Sequence, residues 1–295
     1  MKIGIAGTGK MGLAIGERLL VQGCALTVWN RTSAKAAPLL AQGAVAAATA
    51  RALAEQCDIV LSLLTDAEAI DAAYRGTDGL LSGSVSGKLF VEMSTVRPET
   101  QRALARDVRA RHARLLECPV GGSTGPAREG KLLGFAGGES ADLSEARPVL
   151  EKICRRIEHL GAVGAGCSMK LAINLPLMVY WQACSEALAL CQPLGLDPGR
   201  IIDIFSDSSG GPNVLKSRGG MLAAALNGNA PSSVTFDINS MRKDLATMIA
   251  EGHALGYAMP VTEQTLHCFD EAAGAGLGNS DVVTLPARWV KKKDR

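Results

Sequence analysis

The first half of the chain alternates short apolar runs with longer stretches that are apolar on one side only. The amphipathic stretches predict helices at 11–22, 34–42 and 98–111. The short runs predict strands at Lys2–Ala6, Ala25–Trp29, Ile59–Leu63, Leu89–Met93 and Leu115–Cys118. Strands that are apolar throughout are typical of a parallel sheet covered on both faces. The alternation therefore predicts an α/β domain with a doubly wound, mostly parallel sheet.

The pattern changes near residue 161. Two further strand-like segments, Lys131–Ala136 and Arg156–Leu160, are expected to complete the sheet, with a short helix at Pro148–Ile153 between them. After Gly161 the pattern is helical, with almost no strand signal, and predicts helices at 168–191, 198–205, 214–225, 240–255 and 260–273. The glycine-rich segment 161–166 therefore predicts a boundary between a nucleotide-binding domain, 1–162, and an all-α domain, 163–295.

Composition narrows the class of protein. Hydrophobic residues make up 47% of the 295 residues, charged residues 20%, and the net charge is +2. This near-balance argues against a nucleic-acid partner, which usually requires a concentrated basic surface. The one basic run, Lys291, Lys292, Lys293 and Arg295, is expected to be a solvated end.

Cysteine usage and one long apolar stretch bear on the cellular setting. The eight cysteines form no CxxC pair, which favours small buried side chains in a reducing cytoplasm, and with the four histidines they give no metal-ligand spacing. The stretch 171–191 is long enough to span a membrane but contains Asn174, Pro176 and Glu186. An intramembrane glutamate is costly, so we expect a buried helix, no membrane association and no metal.

The sequence GTGKMG directly follows the first predicted strand and opens the first helix. It comprises Gly7, Thr8, Gly9, Lys10, Met11 and Gly12. The first glycine permits a tight turn, the second lets a pyrophosphate approach the backbone, and the third allows close helix–strand packing. A merely structural glycine turn is the alternative, but this context predicts a Rossmann dinucleotide-binding site.

The end of the second strand, VWNRT, bears on the type of cofactor. NAD-binding sites usually place an acidic residue here to accept the ribose hydroxyls, whereas this chain has Asn30, Arg31 and Thr32. A neutral asparagine does not repel a 2′-phosphate, and Arg31 can bind one through charge-assisted hydrogen bonds, with Lys35 adding charge. NADP(H) is preferred and use of NAD(H) stays open, as does the alternative that Arg31 is an ordinary exposed loop residue.

Two later clusters suggest substrate chemistry. Gly121, Gly122 and Ser123 follow a strand end, where small residues can bind an anion such as a carboxylate, although a tight interdomain turn explains them equally well. Lys170 and Asn174 are four residues apart and share one face of an apolar helix. A buried lysine with a lowered pKa can protonate a carbonyl oxygen, whereas a lysine that reaches solvent would have no such role.

These clusters, in this order, resemble the β-hydroxyacid dehydrogenase family, which includes 3-hydroxyisobutyrate dehydrogenase and the glyoxylate/succinic semialdehyde reductases. The resemblance extends from GTGKMG to FDINSMRKDL at 236–245, nearly the whole chain. It implies a catalytic role for Lys170, substrate orientation by Asn174 and carboxylate binding by the Ser123 loop. It further implies cofactor contacts by Leu64, Thr65, Thr95 and Lys243.

The chain departs from the family pattern in the substrate region. The usual Ser-Gly-Gly order is replaced by Gly121-Gly122-Ser123, and a common Asn-Asn pair is replaced by Ile173-Asn174. We therefore expect an NADPH-dependent reductase, reversible in principle, of a small aldehyde or ketone that carries a carboxylate. The alternatives are an imine reductase and a non-enzymatic dinucleotide-binding protein. The apolar helical domain and the family resemblance lead us to expect a homodimer or homotetramer.

Overall fold

A computed structural model describes residues 1–291 of the chain. Most of the predicted basic end, Lys292, Lys293 and Arg295, lies outside the described residues. Residue contacts divide the chain into one unit, Met1–Leu171, and a second that begins at Ala172. The boundary expected between residues 162 and 163 stays a prediction.

The first unit contains a six-stranded sheet in which every pair of neighbouring strands is parallel. The strands are β1 (Ile3–Ala6), β2 (Leu26–Trp29), β3 (Val45–Ala46), β4 (Ile59–Ser62), β5 (Leu89–Glu92) and β6 (Arg114–Glu117). Their spatial order is β3-β2-β1-β4-β5-β6, so the chain reverses direction across the sheet between β1 and β4. In open α/β sheets this switch point lies beside the ligand crevice at the carboxyl ends of the strands.

Helices connect these strands and cover both faces of the sheet. They are α1 (Lys10–Val21), α2 (Ala37–Leu40) after a 3₁₀ turn at Ser33–Ala36, α3 (Ala50–Gln56), α4 (Ala67–Arg75) and α5 (Pro98–Ala110). Ile59 and Leu61 of β4 belong to one buried apolar cluster and Val60 to another, because successive strand residues point to opposite faces. The predicted fold class, a doubly wound Rossmann sheet followed by an all-α region, is confirmed.

A second sheet of three strands corrects the sequence analysis. It comprises β7 (Val120–Gly121), β8 (Leu132–Ala136) and β9 (Cys154–His159) in the order β7-β8-β9. We expected the last two strands to complete the main sheet, and this was wrong. Pro119 has no N–H with which to extend the β6 ladder, and the chain then turns into β7, which pairs antiparallel with β8. A single bridge between Glu117 and Gly137 connects the ends of β6 and β8.

Two helices accompany the smaller sheet, α6 (Thr124–Glu129) and α7 (Ser140–Leu150). The short helix expected at 148–153 was also wrong, because α7 begins earlier and includes Pro148. Its buried residues Leu143, Ala146 and Val149 recur at helical spacing. We expected the helix to begin at Pro148, whereas α7 begins about two turns earlier, at Ser140.

The second unit is helical throughout its described length. Helix α8 (Ala165–Leu190) begins in the first unit, continues through Pro176 and is followed by a 3₁₀ turn at Gln192–Leu194. The remaining helices are α9 (Pro198–Ser206), α10 (Asn213–Leu226), α11 (Ile238–Ala254), α12 (Pro260–Ala272), a π-helical turn (Ala273–Leu277) and α13 (Thr284–Lys291). Within residues 1–291, no helix combines the length and the apolar character that crossing a membrane requires.

Buried polar groups hold part of this second core together. The Arg218 guanidinium lies 5.8 Å from the centre of the Trp181 ring and donates to both oxygens of the fully buried Asp281 carboxylate, each at 2.6 Å. The same carboxylate accepts the Thr235 N–H at 2.9 Å and the Val283 N–H at 3.2 Å. One buried charge thus holds α10 and the segment at Thr235 against the segment that contains Asp281 and Val283.

Candidate active site

The GTGKMG turn has the geometry that a dinucleotide pyrophosphate requires. Gly7 adopts φ +99°, and a Cβ there would lie 2.2 Å from the Leu63 carbonyl oxygen. A Cβ on Gly12 would lie 1.9 Å from the Gly7 oxygen, so helix α1 approaches β1 only because both residues are glycine. Around Gly9, by contrast, a Cβ would meet nothing within 4 Å, and no side chain caps α1.

These features fit a bound pyrophosphate. An uncapped helix end presents N–H groups and the positive end of the helix dipole to an anion. The Thr8 hydroxyl is buried without a hydrogen-bond partner, as expected of a group that a ligand would satisfy. Lys10 is exposed and Met11 is half-buried at the start of the helix. The six predicted residues thus lie together between the end of β1 and the first turn of α1, and their contacts with a cofactor stay predictions.

The Asn30 side chain fastens the neighbouring loop to this turn. Its oxygen accepts the Thr8 N–H at 2.9 Å and its amide donates to the Thr32 carbonyl at 2.9 Å. Arg31, Thr32 and Lys35 are exposed beyond it. The structure therefore gives Asn30 a role in shaping the loop, and it leaves the predicted phosphate contacts of Arg31 and Thr32 as predictions.

A buried hydrogen-bond network joins the loops after β4 and β5. The Leu64 N–H donates to the Ser94 hydroxyl at 2.8 Å, and that hydroxyl donates to the Glu92 carboxylate. Glu92 also accepts the Ser94 N–H at 3.1 Å and the side-chain amide of Gln101. This network places three of the predicted cofactor contacts, half-buried Leu64, exposed Thr65 and half-buried Thr95, on two connected loops.

Glu92 is completely buried, and burial raises the pKa of its carboxyl group to about 7. Its hydrogen bonds from Ser94 and Gln101 act in the opposite direction, while the nearby Glu117 carboxylate adds to the rise. Sequence reasoning did not single out Glu92. Its position as the last residue of an apolar strand was the available signal.

The predicted carboxylate-binding loop is accessible. Gly121 is half-buried in β7, and Gly122 adopts φ +122°, a conformation that favours glycine. Ser123 is exposed at the position preceding α6, and its side chain makes no capping hydrogen bond with that helix. The hydroxyl is therefore not committed to the helix end, which is compatible with the predicted role.

Helix α8 carries the predicted catalytic lysine and the predicted substrate-orienting asparagine on its buried face. Lys170 is 9% exposed and Asn174 is 5% exposed, and both follow the helical spacing of buried Cys167, Met178 and Trp181. Ile173, the residue that departs from the family pattern, is 41% exposed on another face of the helix. The two polar residues thus lie on the stripe that the helix buries, where isolated charge and amide groups are costly.

Within the second unit, Asp244 connects two predicted site residues. Its carboxylate accepts the Asn174 amide at 3.3 Å and lies 2.5 Å from the Lys243 ammonium. Taken alone, the adjacent residues Lys243 and Asp244 suggest an ordinary exposed helix pair, but Asp244 is 4% exposed. The signal that could have found it is its spacing on the buried stripe of α11 between Met241 and Met248.

No group of three or more metal-ligating side chains that could hold an ion occurs within residues 1–291.

Two family models together cover almost the whole chain. Residues 2–161 match the NAD binding domain of 6-phosphogluconate dehydrogenase, and residues 164–287 match the NAD-binding region of NADP-dependent 3-hydroxyisobutyrate dehydrogenase. The chain belongs to the β-hydroxyacid dehydrogenase family. As a member of this family it is an NAD(P)-dependent oxidoreductase that acts on CH–OH groups, as the sequence resemblance implied.

Relatives of this β-hydroxyacid dehydrogenase align over nearly their full length. The 3-hydroxyisobutyrate dehydrogenase of Pseudomonas aeruginosa is 33% identical over 293 residues, 96% of this chain and 97% of the relative. Glyoxylate/succinic semialdehyde reductase 1 of Arabidopsis thaliana is 30% identical over 281 residues, 95% of this chain and 96% of the relative.

Solved structures share the fold of this chain. Psf3 in complex with NADP+ and 2-OPP superposes with a TM-score of 0.87 at 26% identity, over 97% of this chain and 99% of that one. A reductive aminase from Aspergillus terreus in complex with NADPH4, cyclohexanone and allyl amine has a TM-score of 0.64 at 25% identity, over 96% of this chain and 97% of that one.

Proposed function

We propose that this enzyme is an NADPH-dependent reductase, reversible in principle, that converts a small carboxylate-bearing aldehyde or ketone into the hydroxy acid. The observation that carries the proposal is the burial of Lys170 on α8, with Asn174 one turn further on. When bound, the nicotinamide supplies the hydride that adds to the carbonyl carbon. Lys170 donates the proton to the carbonyl oxygen, and Asn174 orients the substrate through its amide.

The substrate class follows from the loop after β6. Gly121, Gly122 and Ser123 offer small residues and a hydroxyl group to a substrate carboxylate. The names of the relatives support the same class, since the glyoxylate/succinic semialdehyde reductase and the 3-hydroxyisobutyrate dehydrogenase act on carboxylate-bearing molecules. Because Ser123 is shifted relative to the serine of the family pattern, the individual substrate has to be identified by screening candidate acids.

For the cofactor, we propose a preference for NADP(H) over NAD(H). Support comes from the loop after β2, in which Asn30 is bonded to the glycine turn while Arg31 and Thr32 are exposed. A guanidinium and a hydroxyl group there suit a 2′-phosphate, and no carboxylate stands at the strand end to repel it. The roles of Leu64, Thr65, Thr95 and Lys243 as cofactor contacts belong to the same proposal.

The test is NADPH oxidation across short aldehyde and keto acids, such as glyoxylate and succinic semialdehyde, with matched carbonyl compounds that lack the carboxylate. We expect turnover with one or more of the acids and much weaker turnover with the uncharged analogues. A preference for the uncharged analogues would contradict the proposed substrate class.

An imine reductase is the second candidate, favoured by the similarity to the reductive aminase. The higher identity to the 3-hydroxyisobutyrate dehydrogenase of Pseudomonas aeruginosa, 33% against 25% for the reductive aminase, favours the first candidate. A panel of cyclic imines in the same assay separates the two, because faster turnover of an imine than of any carbonyl acid would support the second.

We also propose that the enzyme works as a homodimer or homotetramer in the cytoplasm. The long helices of the second unit and its exposed apolar side chains, such as Leu190 and Leu194, support association. The eight free cysteines support a reducing compartment. Light scattering coupled to gel filtration tests the oligomeric state, and a monomer at micromolar concentration would contradict it.

A further inference from the structure

The last residue of β6 reaches the start of the helix that carries Lys170. Oε1 of Glu117 accepts the N–H of Gly164 and the N–H of Gly166, each at 2.7 Å, and the Glu117 side chain is completely buried. The first N–H groups of a helix have no partner within the helix, and a carboxylate accepts them through short charge-assisted bonds. Glu117 therefore anchors the first turn of α8 to the carboxyl end of the main sheet.

The two glycines let the helix come this close. A Cβ on Gly166 would lie 2.2 Å from the Phe135 carbonyl oxygen, a backbone atom that cannot give way easily. Gly164 adopts φ +108°, in the region that favours glycine. The two glycines of this segment, which we predicted to mark a domain boundary, are thus required for the contact with Glu117.

The anchored turn has a defined orientation. Cys167, the residue after Gly166, is fully buried, and its sulfur lies 3.9 Å from the Ser94 carbonyl oxygen on the loop after β5. Lys170 follows Cys167 by three residues, so the two side chains lie on one face of α8. A rotation or shift of the first turn would move both.

We propose that Glu117 is a positioning residue, whose buried carboxylate holds the N-terminus of α8 so that Lys170 faces the loop after β5. This inference rests on the proposed function, because it treats Lys170 as the proton donor. The proposal requires a hydrogen-bond acceptor at the position of the Glu117 Oε1 atom. A side chain that keeps this acceptor should keep the position of Lys170, and one of similar size that lacks it should not.

Three variants of Glu117 distinguish the effect of the hydrogen-bond acceptor from the effects of side-chain size and charge. Glu117→Gln keeps an acceptor oxygen at full reach, Glu117→Met keeps the length without an acceptor, and Glu117→Asp keeps the charge but is shorter by one carbon. Glu158→Met, at a glutamate of β9 whose side chain is 44% exposed, is the matched control. A displacement near 1 Å at a catalytic group lowers turnover about 100-fold.

We expect kcat for Glu117→Met to fall by roughly 30-fold or more, with the KM for the carbonyl acid and the Kd for NADPH within about threefold of the parent values. Glu117→Gln should retain kcat within about fivefold, Glu117→Asp should fall between the two, and the control should match the parent. Unchanged kcat for Glu117→Met, or equal losses for Glu117→Met and Glu117→Gln, would overturn the proposal.

Amide hydrogen exchange tests the anchor independently of activity. The N–H groups of Gly164 and Gly166 should exchange at least about 10-fold faster in Glu117→Met, and Glu117→Asp should show the same direction if Glu117→Met does not fold. Amides of α1 serve as the internal control and should be unaffected. If no carbonyl acid supports NADPH oxidation, the proposed reaction fails, while unchanged exchange at 164–166 would refute the anchor itself.

Discussion

Glu92 and Glu117 are register partners at the ends of neighbouring parallel strands, and both side chains are fully buried. One binds Ser94 and Gln101, and thereby the loops after β4 and β5, while the other binds the first turn of α8. Two adjacent carboxyl groups thus fix three segments at the carboxyl edge of the sheet. Their proximity also means that ionisation of one disfavours ionisation of the other.

The first prediction concerns the pH dependence of stability. The folded-state pKa of Glu92 is about 7, raised from 4.5 mainly by burial, so the folded state binds more protons than the unfolded state between these values. Stability should therefore fall as pH rises from about 4.5 to 7, by roughly 3 kcal/mol from this group alone. Burial raises the pKa of Glu117 too, which gives the same sign.

Glu92→Gln should remove most of this slope. The Gln101 side-chain oxygen is buried without a partner, so rotation of its amide group can supply an acceptor to the new donor. We expect the variant to melt several degrees above the parent at pH 8 and to gain little at pH 5, measured by calorimetry. The control is Glu158→Gln, at a glutamate whose side chain is 44% exposed. A difference between variant and parent that does not change with pH would contradict the assignment.

The second prediction concerns Lys170. Removal of a general acid costs about 100-fold or more in turnover, so Lys170→Ala should lower kcat on this scale while the Kd for NADPH stays within about threefold. Lys216→Ala, at an exposed lysine of α10, is the control. Steady-state kinetics and fluorescence titration with NADPH measure the two quantities. Full turnover in Lys170→Ala would refute the proposed proton donor.

Local pattern was sufficient to predict much of this molecule. The alternation of apolar runs and amphipathic stretches predicted the main parallel strands except the two-residue β3. The GTGKMG turn was recognisable because backbone contacts between nearby segments require its glycines. The placement of β8 and β9 was not predictable in this way. It depends on Pro119 ending β6 and on antiparallel pairing with β7, both of which are decided by tertiary contacts.

The buried carboxylates were missed for a related reason. Glu117 reaches amides 47 and 49 residues further along the chain, and Asp244 reaches Asn174 across 70 residues. A charged residue at the end of a strand or on a helix is usually solvated, so composition and propensity argue for exposure. The local signs of burial were the position of Asp244 on the apolar stripe of α11 and that of Glu92 at the end of an apolar strand.

The third prediction concerns the choice of cofactor. A charge-assisted hydrogen bond is worth about 1.5–3 kcal/mol, so loss of the Arg31 guanidinium should raise the KM for NADPH by roughly 10- to 100-fold. The KM for NADH should change by less than about threefold, because NADH has no 2′-phosphate. Arg51→Ala, at an exposed arginine of α3, is the control. Equal losses with both cofactors would contradict the role of Arg31.

The fourth prediction compares two Arg–Asp pairs of the second unit that differ in burial. In the buried pair, Asp281 is fully buried and Arg218 is 14% exposed, whereas in the surface pair Asp270 and Arg242 are 45% and 36% exposed. Asp281→Ala leaves a buried guanidinium and the Thr235 and Val283 amides without their acceptor, which should cost about 3–5 kcal/mol. Asp270→Ala removes only a solvated pair and should cost about 1 kcal/mol or less.

Thermal unfolding measures the difference between the two variants. At a few degrees per kcal/mol, the melting temperature should fall by roughly 10 °C or more in Asp281→Ala and by no more than a few degrees in Asp270→Ala. Equal shifts would mean that the Asp281 network does not stabilise the helical core, since the two variants delete the same chemical group and differ only in what surrounds it.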